Sequence, residues 1–105
     1  MMGTIGLNDT DIEKIRAIFS LHKELEKVVL YGSRAKGTYK PASDIDLVLV
    51  GDDLNLTIQQ AIENELDDLL LPYKFDVSLF RQIENKELIH HIERVGTVFF
   101  VNNLK

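Results

Sequence analysis

A chain of 105 residues is long enough for one hydrophobic core and too short for two, so it reads as a single domain spanning residues 1–105. Its content of 45% hydrophobic and 28% charged residues, with 2 Pro and 6 Gly, excludes disordered and fibrous classes. The net charge of −5 excludes general attraction to a nucleic-acid backbone, and the lack of Cys excludes disulfides and thiolate metal sites.

Met1 to Leu7 carries neither a basic segment nor a long apolar one, so no signal peptide is expected. The longest apolar run falls far short of a membrane span, which makes the cytoplasm the expected location. From Thr10 to Leu25 the residues Ile12, Ile15, Ile18, Phe19 and Leu25 recur at helical spacing, and Thr10 with Glu13 has the form of a capping box. Val28 to Tyr31 is a short β-branched and aromatic run stopped by Gly32, as in a buried strand entering a tight turn. Ser33 to Ser43, interrupted at Gly37 and Pro41, predicts a loop with room for one helical turn.

Asp44 to Val50 predicts a second strand, in which alternation places Asp44, Asp46, Val48 and Val50 on one face and Ile45, Leu47 and Leu49 on the other. A second capping box at Thr57 and Gln60 precedes a helix carrying Ile58, Ala61, Ile62, Leu66, Leu69 and Leu70 and ended by Pro72. Tyr73 to Phe80 alternates as a third strand with Lys74, Asp76, Ser78 and Phe80 on its polar side. A last helix runs through Ile83, Leu88, Ile89, Ile92 and Val95 to a left-handed C-cap at Gly96, and Thr97 to Val101 closes the chain as a strand. This order predicts an α+β fold, a small mixed sheet packed with helices, since strand two follows strand one without a long crossover.

Two aspartates on one strand face lie roughly 6–7 Å apart, and burying them without a cation costs several kcal/mol. Mg²⁺ removes that cost, because it takes oxygen ligands from one or two carboxylates together with substrate phosphates. Asp44 and Asp46 are therefore candidate metal ligands. The turn at Gly32 and Ser33 offers close backbone approach and free amides for an anion, and Arg34, Lys36 and Lys40 gather positive charge beside it. Asp76, on a neighbouring strand, is placed to bring a second metal and an attacking oxygen into line. His90 and His91 point about 100° apart on a helix, cannot share one ion, and read as surface residues. Tyr31 and Tyr39 read as packing residues.

Gly32-Ser33, ten intervening residues and Asp44-Ile45-Asp46 resemble the signature of the polymerase-beta-like nucleotidyltransferase superfamily. Gly-Ser-Arg-Ala-Lys-Gly at 32–37 and Ser-Asp-Ile-Asp-Leu at 43–47 resemble its minimal members, commonly paired with a helical HEPN-type protein. The resemblance implies that fold and covers nearly the whole chain. It also implies that Asp44 and Asp46 bind two Mg²⁺ ions, that Asp76 binds one of them and helps deprotonate the acceptor, and that Gly32 and Ser33, assisted by Arg34, hold the triphosphate of ATP. The implied acceptor is a tyrosine hydroxyl of a HEPN toxin encoded nearby, so that AMP transfer makes the chain an antitoxin. Two alternatives are a non-catalytic binding antitoxin and transfer onto a small molecule of aminoglycoside type. The strand at 97–101 offers an edge for pairing with the partner or with a second copy as a homo-oligomer.

Overall fold

The computed structural model describes residues 5–102; residues 1–4, part of the N-terminal stretch read above, and 103–105 lie outside it. In chain order the elements are α1 (Asp9–Ser20), β1 (Lys27–Tyr31), the single turn α2 (Gly32–Lys36), β2 (Ile45–Val50), α3 (Leu56–Asp67), β3 (Phe75–Leu79), α4 (Lys86–Val95) and β4 (Thr97–Val101), with a 3₁₀ turn at Phe80–Gln82. The sheet order is β3-β2-β1-β4. β1 runs antiparallel to β2 and β4, while β2 and β3 are parallel. The expected mixed sheet is thus realised, with α3 as the crossover that parallel pairing requires.

One sheet face is closed by α1 and α3. Ile45, Leu47 and Leu49 of β2 join Ile12, Ile15, Phe19, Ile62 and Leu66 in the main core, as their odd-numbered alternation predicts. The other face carries α4, whose Ile92 packs with Tyr31 and Val48 in a smaller cluster flanked by Leu88 and Phe80. β2 is consequently apolar on both faces except at its entry, where Asp46 stands.

Three helix starts depend on asparagine. Asn8 Oδ1 accepts from the Asp11 amide at 2.8 Å, Asn55 Oδ1 from Ile58 at 2.9 Å, and Asn85 Oδ1 from Glu87 at 2.9 Å and Leu88 at 3.2 Å. The capping boxes expected at Thr10 and Thr57 are therefore corrected: each threonine lies two residues inside a helix already capped by Asn. α1 also stops at Ser20 rather than Leu25, because Leu25 reaches the core from a turn closed by its amide on the His22 carbonyl at 3.1 Å. α3 ends at Asp67, before Pro72, with Leu70 in a positive-φ turn. Gly96 is not left-handed, as the C-cap reading required, but extended at φ −61° and ψ 137°. A side chain there would strike the Ile92 carbonyl and lie 2.7 Å from Val29 Cγ1, so close approach and not backbone sign explains the glycine.

Candidate active site

The predicted residues converge at one end of the sheet, where β1 finishes and β2 and β3 begin. Tyr31 pairs in register with Asp46, and Asp46 pairs with Asp76. The three side chains thus form a row across adjacent strands, each strand about 4.8 Å from the next. Asp44 is exposed one residue before β2, Asp46 is half-buried, and Asp76 is exposed. Burial, then the negative charges of Asp76 and Asp44, push the Asp46 carboxyl from its ordinary 3.8 up to about 6, against the opposing influence of Arg34. Among the described residues no three His, Cys, Asp or Glu side chains close into a ready metal-binding cluster.

Gly32 opens α2 with φ +75°, a conformation that disfavours a side chain, and a Cβ there would collide with Asp46 Oδ2. Glycine is thus required for the turn and the carboxylate to meet. Ser33 follows half-buried, and its carbonyl accepts the Thr38 amide at 3.0 Å as the turn closes. The two halves of the sequence motif are in direct apposition.

Arg34 differs from expectation. Only 2% of it is exposed, and its guanidinium donates from Nε and Nη2 to the Ser43 carbonyl at 3.2 and 2.9 Å, from Nη1 to the Ile5 carbonyl at 3.0 Å and from Nη2 to Pro41 at 3.5 Å. Its Cζ lies 5.3 Å from the ring centres of both Tyr39 and Tyr73. A guanidinium so buried is engaged with the protein's own carbonyls. Arg34 latches the loop between Gly-Ser and Asp44, while Lys36 and Lys40 remain exposed. Tyr39 packs as expected.

Sequence reasoning placed His91 at the surface, and this too is corrected. It is half-buried, its ring meets Tyr31 edge-on with centroids 6.2 Å apart, and its Nε2 accepts the Gly32 amide at 3.2 Å. The usable signal was its position three residues after Leu88 and beside Ile92, which puts it on the sheet-facing side of α4. Tyr31 packs as expected, with Val48 and Ile92, and it also borders the carboxylates. Burial raises the pKa of its hydroxyl, a hydrogen bond with Ser78 opposes this, and the charges of Asp76 and Asp46 add to the rise. A cavity of about 320 Å³ lined in part by Lys27, Val29, Val48 and Ile92 lies between α4 and the sheet, and its lining includes none of the carboxylates, Gly32, Ser33 or His91.

Two variants separate these roles. Arg34→Lys, which cannot reproduce the fork of carbonyl bonds, should lower unfolding stability by on the order of 2–3 kcal/mol in a denaturant titration. Undiminished stability would return Arg34 to a ligand role. Asp46 has a folded pKa above its unfolded one, so its penalty on stability is absent below about pH 4, grows towards about pH 6 and is complete above it. In chelator-treated samples Asp46→Asn should therefore melt above the parent at pH 7, the gap closing as pH falls to 4. A variant that melts lower at pH 7 contradicts the electrostatic reading.

Comparison with known proteins agrees with the fold. Residues 13–105 match the family Polymerase beta, Nucleotidyltransferase. A Methanocaldococcus jannaschii protein named for protein adenylyltransferase activity is 34% identical over 80 residues, covering 74% of this chain and 73% of that one. Among solved structures, a toxin-antitoxin crystal structure with AMP-PNP shares the fold at TM-score 0.69 and 22% identity, covering 92% of this chain and 76% of that chain. A tri-AMPylated Shewanella oneidensis HEPN toxin in complex with MNT antitoxin gives TM-score 0.67 at 17% identity, covering 91% and 74%. The chain belongs to the polymerase beta nucleotidyltransferase family.

Proposed function

We propose that this chain, as one nucleotidyltransferase domain over residues 1–105, transfers AMP from ATP to a tyrosine hydroxyl of a helical HEPN-type toxin encoded nearby, and so acts as its antitoxin in the cytoplasm. The observation that carries the reading is the in-register placement of Asp46 and Asp76 beside the Gly32 turn, with Asp46 short of compensating positive charge. The adenylyltransferase name of the archaeal relative supports the reaction class, and the toxin-antitoxin complexes among the structural neighbours support the partner. No described helix is long and apolar enough to cross a membrane.

The donor set suits Mg²⁺. It consists of carboxylate oxygens without sulfur or imidazole, carries uncompensated negative charge, and leaves coordination positions for substrate phosphates. Asp44 and Asp46 would hold two ions and Asp76 one of them; bound there, the ions would neutralise charge on the phosphates. Gly32 and Ser33 would seat the triphosphate against Asp46. Asp76 takes the proton of the acceptor hydroxyl as its oxygen bonds to the α-phosphorus, and the bond from that phosphorus to the bridging oxygen breaks to release pyrophosphate. No covalent enzyme intermediate is needed, which accords with a site free of thiols. The β4 edge, bonded within the sheet to β1, offers the partner or a second copy a strand to pair with.

Incubation with α-labelled ATP, Mg²⁺ and the neighbouring HEPN-type protein should place label on that protein. Joint replacement Asp44→Ala, Asp46→Ala should reduce transfer by at least roughly 100-fold. Label transfer that survives the double replacement refutes the mechanism.

A further inference from the structure

His91 stands outside every role assigned above, yet its Nε2 is 3.2 Å from the Gly32 nitrogen, in the turn proposed to seat the triphosphate. α4 fixes the ring there: Ile92 is buried against Tyr31 and Val48, Leu88 flanks the same cluster, and the ring edge rests on Tyr31. α4 also packs directly on α2 and β1. The imidazole is thus a held group at the mouth of the site and not a solvated surface side chain.

The hydrogen bond has a chemical consequence. Gly32 has one amide hydrogen, and in this ligand-free arrangement Nε2 accepts it, so the ring carries its proton on Nδ1. A phosphate oxygen that takes the same amide at about 2.9 Å must come close to Nε2. Two acceptors would then face each other across one hydrogen. Imidazole resolves this by moving its proton to Nε2, which turns the competitor into a second donor.

Resting on the proposed nucleotide site, we infer that His91 is a triphosphate-contacting residue: it satisfies the Gly32 amide when the site is free and donates from Nε2 to the phosphate oxygen that displaces it. A residue that merely covered the amide would behave in the opposite sense, since its removal would free a donor and tighten binding. The sign of the effect therefore discriminates.

The test is calorimetric binding of a non-hydrolysable ATP analogue with Mg²⁺, and of inorganic tripolyphosphate with Mg²⁺, to the full chain and to His91→Ala and His91→Gln. His91→Ala should weaken both ligands about tenfold, the loss expected for one charge-assisted hydrogen bond. His91→Gln, whose side-chain amide can donate from a similar position, should recover most of that loss. In the transfer assay His91→Ala should raise KM for ATP far more than it lowers kcat. Unchanged or tighter binding by His91→Ala, or no recovery by His91→Gln, overturns the inference while leaving the nucleotide site intact. Failure of the parent chain to bind either ligand overturns both.

Discussion

A guanidinium removed from water must be met by fixed acceptors, and the way Arg34 meets this condition organises the site. Its donors go to the carbonyls of Ile5, Pro41 and Ser43, and its faces are covered by Tyr39 and Tyr73. Tyr73 in turn donates to Asp11 Oδ2 at 3.2 Å, tying the latch to α1. Because Ser43 precedes Asp44, the backbone leading into β2 is held at a set distance from the turn where Arg34 begins. The ten-residue spacing between Gly-Ser and Asp44 is thus a structural dimension. Desolvating the cation is offset by charge-assisted bonds to several carbonyls, and those bonds would be lost together.

Against that latch the fold holds a destabilising element. The hydrophobic cores on both sides of β2 fix Ile45, Leu47, Val48 and Leu49, leaving Asp46 no freedom to withdraw from Asp76 in the adjacent strand. Burial first, and then the charges of Asp76 and Asp44, raise the pKa of Asp46 to about 6. Gly32 permits the turn to approach the same carboxylate, and His91 accepts the hydrogen bond of the Gly32 amide. Packing energy from the sheet therefore maintains an unfavourable concentration of charge, as a stable scaffold can.

Much of this was legible in the sequence because it was local. Strand alternation separated Ile45, Leu47 and Leu49 from Asp44 and Asp46, and Thr97 to Val101 is a strand with the boundaries its composition implied. The helix starts were displaced because Thr10 and Thr57 satisfy a capping pattern that Asn8 and Asn55 reach first. Leu25 imitated a helical position because a turn can deliver a side chain to the core as well as a helix can. Arg34 and His91 have surroundings that a local reading does not contain, for a different reason. Each is defined by partners distant in sequence, Ile5 for the one and Gly32 for the other, and no local pattern contains them.

In the proposed function, Asp44, Asp46 and Asp76 receive the cation at the same place where Gly32 and Ser33 receive the nucleotide. Paramagnetic broadening of backbone amide resonances by Mn²⁺, in the presence of a non-hydrolysable ATP analogue, reads that coincidence directly. The proposed function predicts broadening concentrated at 32–33, 44–46 and 76, lost in Asp46→Asn. Broadening centred elsewhere, for instance at the His22–Glu65 pair, or unchanged in Asp46→Asn, would contradict it.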